Sequence, residues 1–109
     1  AMQTRTESIT ARDGLTFDGH LVLPESGRGP GLLVVQEIFG VNAYIREVCE
    51  RVAALGYVAM APDVFWRIER NVELGGDEAA LQQAFTYMTK FDWQTGISDL
   101  TAALDRFSD

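Results

Sequence analysis

The sequence predicts an α/β fold in which a mostly parallel β-sheet is flanked by helices. The apolar run Leu32–Val35 follows Gly29-Pro30-Gly31, and such a short run rich in Val and Leu predicts a strand buried on both faces. A helical pattern and a second apolar strand, at 57–61, follow within about 30 residues. A strand, a helix and a strand over this length form a βαβ unit, whose two strands are parallel and whose crossover is right-handed.

Composition limits the classes of function. At 109 residues with 47% apolar side chains, the chain can form a core and is one domain or part of one. Its formal net charge of −7 argues against nucleic acid and anionic membrane surfaces as partners, since both attract basic patches. No apolar run approaches the roughly 20 residues that span a bilayer. A single cysteine cannot form an internal disulfide, which agrees with a cytoplasmic location.

Two strands are predicted before the βαβ unit, at 6–11 and 15–23. The dipeptide Asp13-Gly14 lies between them and is typical of a β-hairpin turn. The second strand ends at Pro24, and a loop rich in Gly and Pro leads from there to the central strand at 31–36.

Three helices are predicted. Asn42 suits the N-cap of the first and Gly56 its end, Asp77 lies near the start of the second, and Asp92 suits the N-cap of the third. Gly96 lies inside the third helix, where glycine costs about 1 kcal/mol relative to alanine. The apolar residues expected on the inner faces are Ile45, Val48, Cys49, Val52 and Leu55 in the first helix, Leu81, Ala84, Phe85 and Met88 in the second, and Ile97, Leu100, Leu104 and Phe107 in the third.

Several separate stretches match one known family in order and spacing. They are Gln36-Glu37-Ile38-Phe39-Gly40-Val41-Asn42, Ile45-Arg46, Leu55-Gly56-Tyr57-Val58-Ala59, Ala61-Pro62-Asp63, and Phe91-Asp92 to Asp99-Leu100. In these residues the chain resembles the dienelactone hydrolase family, which has the α/β-hydrolase fold. The resemblance covers essentially the whole chain, so we expect residues 1–109 to be the N-terminal part of a single α/β-hydrolase domain.

The resemblance implies hydrolysis of an ester or lactone through an acyl-enzyme on cysteine. In the family the nucleophile stands on a Gly-x-Cys-x-Gly elbow, a strained strand-to-helix turn, and His and Asp complete the triad. This sequence contains no such elbow, so we expect a chain truncated before the nucleophile and inactive by itself. The implied partners are a small-molecule ester or lactone and the missing C-terminal half of the enzyme. No cofactor and no metal are implied.

Glu37 is the first candidate site residue. It ends the central strand, and ligands of open α/β sheets bind beyond the carboxyl ends of strands. In the family the matching glutamate lies against the nucleophilic thiol and supports its conversion to thiolate. A carboxylate among apolar neighbours such as Ile38 and Phe39 resists ionisation and can exchange a proton with a thiol. A structural glutamate bonded to a nearby loop is the other interpretation. Through the resemblance, the Ile38 N–H is one donor of the oxyanion hole.

Phe39, Phe85 and Met88 are candidates for a substrate pocket. Ordinary core is the alternative, because Phe85 and Met88 fall at helical spacing. Family members active on dienelactone carry an arginine in this helix that binds the substrate carboxylate. No basic residue precedes Lys90 in the predicted helix here, which argues against dienelactone itself as the substrate.

Four other residues invite a functional interpretation. Arg67 and Arg70, just upstream of the second helix, are candidate substitutes for the absent arginine. Cys49 lies in the middle of the first helix without an elbow or a nearby histidine, so a buried, inert thiol is the preferred interpretation. His20 lies within the second strand, and no role is expected for it.

A function of a different class is also compatible with the sequence, namely a non-catalytic half-length α/β module that binds a small molecule or a partner chain.

In the α/β-hydrolase order, the strand at 31–36 pairs on one side with the strand at 57–61. Its other side pairs with the strand that leads to the nucleophile. Without that strand, Leu32–Val35 becomes an unpaired apolar edge, and such edges recruit other chains. We therefore expect residues 1–109 alone to associate or aggregate.

Overall fold

A computed structural model of the protein describes residues 2–108. All predicted strands and helices are present, with some ends shifted by a few residues. In chain order they are β1 (Gln3–Thr10), β2 (Thr16–Leu23), β3 (Gly31–Leu33), α1 (Ala43–Ala54), β4 (Val58–Pro62), α2 (Glu78–Lys90) and α3 (Trp93–Asp105), followed by a 3-10 turn at Arg106–Ser108.

The four strands form one sheet in the order β1-β2-β4-β3. β1 and β2 form the expected hairpin, β2 pairs with β4 in the antiparallel sense, and β3 and β4 are parallel. The parallel pair on either side of α1 confirms the βαβ unit. Within residues 2–108 the sheet is mixed rather than mostly parallel, because the hairpin adds its strands to β4 in the antiparallel sense.

β3 is an edge strand in the described part of the chain. Its ladder with β4 continues past Leu33, since the Val34 N–H donates to the Met60 carbonyl over 2.8 Å. Val34 is buried, but Leu32 is 37% exposed and Val35 is 50% exposed. The prediction that this strand is buried on both faces is wrong for residues 2–108 alone. β3 lies at the edge of the sheet, and no other strand among these residues pairs with it on the side away from β4.

The two faces of the sheet carry separate cores, because side chains alternate between faces along each strand. One core lies under α1 and consists of Val22, Val34, Val41, Ile45, Cys49, Ala53, Ala59 and Ala61. The other lies against α3 and the loop after β4 and consists of Ile9, Ala11, Phe17, Leu21, Met60, Trp66 and Ala103. A smaller cluster of Phe65, Val72 and Tyr87 joins that loop to α2.

Asn42 and Asp92 cap α1 and α3 as predicted, and Asp77, near which the second helix was predicted to start, is the N-cap of α2. The side chains of Asn42, Asp77 and Asp92 each accept a hydrogen bond from a backbone N–H of the first turn. α1 ends at its C-cap Leu55, and Gly56 follows with φ of 102°, the left-handed conformation in which glycine ends many helices. No helix formed by residues 2–108 is both long and apolar enough to cross a lipid bilayer.

Some apolar side chains assigned to the inner faces of helices are exposed instead. They are Leu55, Phe85, Ile97 and Leu104, and each is more than half exposed. Leu55 is exposed because it is the C-cap residue rather than part of the inner face. α3 buries Gly96, Asp99 and Ala103 in place of its larger apolar residues, so its contact face is rotated from the one predicted.

Packing explains the glycine inside α3. Gly96 is buried, and a Cβ atom at this position would lie 2.3 Å from Cζ of Phe91. The Phe91 ring is itself held between Phe65 and Trp93, with ring centroids 5.8 Å and 5.1 Å away. Close contact with this ring therefore outweighs the intrinsic preference of helices for alanine.

We expect Gly96→Ala to lower the free energy of unfolding by about 1–3 kcal/mol, because the added methyl group overpacks this contact. Gly75→Ala is the matched control, since nothing lies within 4 Å of a Cβ there. That control should change stability by less than about 0.5 kcal/mol. Urea unfolding measures both variants. A Gly96→Ala protein as stable as its parent would contradict the contact with Phe91.

Candidate active site

A tight turn follows β3 at the carboxyl end of the parallel pair. The Gly40 N–H donates to the Glu37 carbonyl over 3.3 Å, which leaves Ile38 and Phe39 as the two central residues. Gly40 has φ of 82°, a left-handed conformation that glycine adopts without steric cost. Glu37 and Ile38, the two candidate catalytic residues, therefore belong to one turn.

Gln36 ties this turn to the end of β4. Its side-chain carbonyl accepts from the Val64 N–H over 3.0 Å, and its side-chain amide donates to the Glu37 carbonyl over 3.0 Å. One side chain therefore connects the carboxyl ends of β3 and β4. Sequence reasoning did not assign Gln36 a role, although a polar residue directly after an apolar strand was the available signal.

The loop after β4 returns to support the turn. Gly40 and Glu73 form an antiparallel bridge, and the Leu74 N–H donates to the Phe39 carbonyl over 2.8 Å. The Asn42 side-chain amide donates to the Leu74 carbonyl over 2.9 Å, while its oxygen caps α1. The loop thereby holds the turn and the start of α1 together.

The turn presents a carboxylate and an N–H group that does not take part in closing it. The Glu37 side chain is exposed, and within residues 2–108 it makes no side-chain hydrogen bond or ion pair. The described residues leave this carboxylate exposed and do not bury it among apolar side chains. Ile38 is half-buried, and its N–H takes no part in the hydrogen bond that closes the turn. The pair therefore offers one hydrogen-bond donor and one proton acceptor side by side.

An apolar cavity of about 190 Å³ opens beside the turn. Its wall includes Val35, Ile38, Phe65, Met88, Trp93, Ile97 and Leu100, and Glu37 is the one charged residue in it. Of the three residues predicted to line a substrate pocket, Met88 lies in this wall, whereas Phe39 and Phe85 do not. Phe85 is 51% exposed on α2. The contribution of α3 was not anticipated, because the spacing of its apolar residues indicated ordinary core.

The two arginines after β4 are engaged in contacts within the protein. Arg67 makes a bidentate ion pair with Asp99 at 2.9 and 3.0 Å, and its remaining nitrogen lies 2.7 Å from the Asp13 carboxylate. These hydrogen bonds raise the pKa of Arg67 and lower that of Asp13. Arg70 donates to a backbone carbonyl of β2 and lies over the ring of Trp66. This arrangement does not favour either arginine as the receiver of a substrate carboxylate.

Cys49 lies in the interior of the described structure, and His20 lies partly buried in the sheet. Cys49 is fully buried, and burial raises the pKa of its thiol to about 11, so almost no thiolate forms at neutral pH. His20 is partly buried in β2, and burial lowers its pKa, which keeps the imidazole neutral at pH 7. In the part of the chain that the structure describes, no group of three His, Cys, Asp or Glu side chains is placed to hold a metal ion.

Comparison with known proteins shows which family this chain is related to. The sequence model of the Dienelactone hydrolase family matches residues 17–108. The chain belongs to the dienelactone hydrolase family. A carboxymethylenebutenolidase from a Pseudomonas species is 38% identical over 104 residues, which cover 94% of this chain and 44% of the relative. Carboxymethylenebutenolidase 1 from Cupriavidus pinatubonensis is 34% identical over 98 residues, which cover 89% of this chain and 42% of the relative.

Solved structures of dienelactone hydrolase-like proteins share the fold. A crystal structure of a "Putative Dienelactone Hydrolase" from Klebsiella pneumoniae matches with a TM-score of 0.80 at 27% identity, over 99% of this chain and 44% of that one. A dienelactone hydrolase-like promiscuous phosphotriesterase from metagenomic libraries matches with a TM-score of 0.70 at 25% identity, over 99% of this chain and 43% of that one. These matches confirm the predicted α/β-hydrolase fold. The chain spans less than half the length of the relatives and structures it matches.

We expect Gly40→Ala to push the turn away from the loop behind it. An added Cβ would lie 1.9 Å from the Val72 carbonyl oxygen, and φ of 82° strains residues other than glycine. Gly14→Ala is the matched control, because Gly14 has φ of 89° but nothing within 4 Å of the added atom.

Backbone strain alone costs about 1 kcal/mol, so Gly14→Ala should lower the free energy of unfolding by about that amount. Gly40→Ala should lower it by about 2 kcal/mol more, because strain and the clash with backbone add. Chemical denaturation measures the difference between the two variants. Equal losses would contradict the close approach of Val72 to Gly40.

Proposed function

We propose that these residues are the N-terminal part of a single α/β-hydrolase domain that cleaves an ester or lactone. In this proposal the nucleophilic cysteine lies in polypeptide beyond residue 109. The observation that carries it is the turn after β3, which combines the Ile38 N–H with the Glu37 carboxylate at the carboxyl end of the parallel pair. Membership of the dienelactone hydrolase family, with relatives named carboxymethylenebutenolidase, supports the reaction class.

Ile38 is proposed as one donor of the oxyanion hole. Acyl transfer places negative charge on the carbonyl oxygen of the substrate, and N–H groups aimed at that oxygen in advance stabilise the transition state. The turn does not use the Ile38 N–H for its own closure, while Gln36 and the loop after β4 fix the turn on both sides. The donor is therefore pre-organised. The residue after the nucleophile is expected to supply the second donor.

Glu37 is proposed to support the nucleophile. A further parallel strand added at the open edge of β3 would end beside this turn, where α/β sheets bind their ligands. A thiol presented there would pass its proton to the Glu37 carboxylate, and the resulting thiolate is the form that attacks a carbonyl carbon. The sulfur–carbon bond then forms, the ester carbon–oxygen bond breaks, and the leaving alkoxide takes the proton that Glu37 received from the thiol. Water hydrolyses the acyl-enzyme and restores the thiol.

The substrate is proposed to be a neutral ester or lactone with an apolar acyl group. Met88 has direct support as a substrate contact, because it shares the wall of the apolar cavity with Ile38. Phe39 and Phe85 are proposed to join it once the site is complete. α2 carries no basic residue before Lys90, and Arg67 is already paired with two carboxylates. A substrate carboxylate would therefore lack a cationic partner among these residues.

The role of the carboxylate is tested by making Glu37→Gln in the polypeptide that includes the nucleophile. We expect kcat on an aryl ester to fall at least about tenfold, because the amide cannot accept the thiol proton. The free energy of unfolding should stay within about 0.5 kcal/mol of the parent, since the side chain is exposed. Glu69→Gln, an exposed carboxylate in the loop after β4, is the control and should hydrolyse the ester as the parent does.

An unchanged kcat in Glu37→Gln would remove this residue from the mechanism. A parent protein that cleaves no member of a panel of aryl esters and lactones would refute the proposed function as a whole. If the parent cleaves some of these substrates, better cleavage of carboxylate-bearing lactones than of neutral esters would refute the proposed substrate class.

Residues 1–109 expressed alone should be inactive and should self-associate. The far side of β3 leaves backbone N–H and C=O groups open, and Leu32 and Val35 expose apolar surface beside them. The double change Leu32→Lys and Val35→Lys should restore a monomer. Leu15→Lys should not, although Leu15 is 55% exposed at the hairpin. Size-exclusion chromatography with light scattering measures the mass, and a monomeric parent fragment with a sharp thermal transition would contradict the open edge.

A further inference from the structure

Asp63, directly after β4, is a buried carboxylate to which the proposed mechanism gives no part. It is 6% exposed, and its Oδ2 accepts a hydrogen bond from the Asn71 N–H over 2.7 Å. Its Oδ1 is buried without a hydrogen-bond partner among residues 2–108. Burial raises the pKa of this carboxyl group, since the charged form loses its hydration. Such a group costs stability, so its position calls for a physical reason.

The residue that Asp63 binds has an unusual backbone conformation. Asn71 has φ of 61° and is the one non-glycine residue with positive φ in the described part of the chain. The left-handed region is costly for most residues, and Asn is among those that tolerate it best. The hydrogen bond from its N–H to Asp63 holds the chain in this reversal. Asp63 thereby fixes the direction in which the loop leaves Asn71.

The reversal sends the chain directly onto the turn that follows β3. The next residue, Val72, is 3% exposed, and its carbonyl oxygen occupies the space that a Cβ on Gly40 would need. Two residues further on, the Leu74 N–H bonds to the Phe39 carbonyl. The path from Asp63 to the turn is therefore short. It consists of the hydrogen bond from the Asn71 N–H to the Asp63 side chain and of the backbone contacts that the next residues make with the turn.

We infer that Asp63 is a positioning residue for the turn that carries the Ile38 N–H, and that it acts through Asn71 and Val72. This inference rests on the proposed function, in which that N–H stabilises the oxyanion. Asp63 does not touch the reacting atoms. Its loss allows the loop to relax at Asn71, and the turn then loses the surface that holds Gly40 and Phe39 in place. A donor displaced by a fraction of an ångström stabilises the transition state less, while ground-state binding changes little.

The first test compares Asp63→Ala with Asp63→Asn in the polypeptide that includes the nucleophile. Alanine removes the acceptor for the Asn71 N–H, whereas asparagine keeps an acceptor oxygen and resembles the neutral carboxyl that burial favours. Asp63→Ala should lower kcat at least about tenfold with KM within about twofold, because the defect lies in the transition state. Asp63→Asn should restore kcat to within about threefold of the parent. Loss of activity through KM alone, or no rescue by asparagine, would overturn the inference.

Amide hydrogen exchange supplies a readout that does not depend on activity. The Leu74 and Gly40 amides, which bond to Phe39 and Glu37, should exchange at least about tenfold faster in Asp63→Ala. The Val34 amide, which bonds to Met60 in the core, should exchange as in the parent. Unchanged exchange at Leu74 would overturn the positioning role. A parent that cleaves no ester would refute the proposed function, and exchange at Leu74 would still decide whether Asp63 holds the turn.

A second pair of variants covers the case in which Asp63→Ala does not fold. Asn71→Gly keeps easy access to φ of 61°, whereas the β-branched side chain of Asn71→Val does not. Asn71→Val should show the fast exchange at Leu74 and the lowered kcat expected of Asp63→Ala. Asn71→Gly should resemble the parent in both measurements. Equal behaviour of the two Asn71 variants would overturn the inference.

Discussion

The parallel pairing of β3 with β4 determines where the candidate site lies. It brings the carboxyl ends of both strands to one edge of the sheet, where Gln36 after β3 binds the Val64 N–H after β4. The turn, the buried carboxylate of Asp63 and the supporting loop all start from these two ends. A shift of the β3 register would separate Glu37 and Ile38 from every group that holds them. The candidate site is therefore a consequence of one strand pair and the two loops that leave it.

The elements that depend on local chemistry were predictable from the sequence. The hairpin at Asp13-Gly14, the caps at Asn42 and Asp92 and the start of α2 near Asp77 use interactions within a few residues, so the signal and its partner lie together in the chain. The contact face of α3 was not predictable in the same way. It is decided by Gly96 against Phe91 and by Asp99 against Arg67, and a helical period does not reveal which distant partners a helix meets.

The candidate site shows the same difference between local interactions, which the sequence predicts, and distant ones, which it does not. Glu37 and Ile38 could be named from their place at a strand end and from the family resemblance, and their catalytic roles stay predictions. The contacts that hold them in place could not be predicted, because each joins residues far apart in the chain. Gln36 bonds to a residue 28 positions away, and Asn42 bonds to one 32 positions away. Such polar contacts leave no periodic trace, whereas the apolar pattern that forms the sheet does.

Two carboxylates are buried among residues 2–108, and their surroundings differ. Asp99 accepts from the Trp66 indole N–H and from two nitrogens of Arg67, so its buried charge is paired and its oxygens are satisfied. It ties α3 to the loop after β4, and removing it would leave Arg67 with only Asp13 as an anionic partner. Asp63 is almost as deeply buried, yet it has one backbone N–H for two oxygens. Stability alone favours hydrogen bonds to both oxygens of a buried carboxylate. The single hydrogen bond of Asp63 is therefore better explained by the loop conformation that it holds beside the turn.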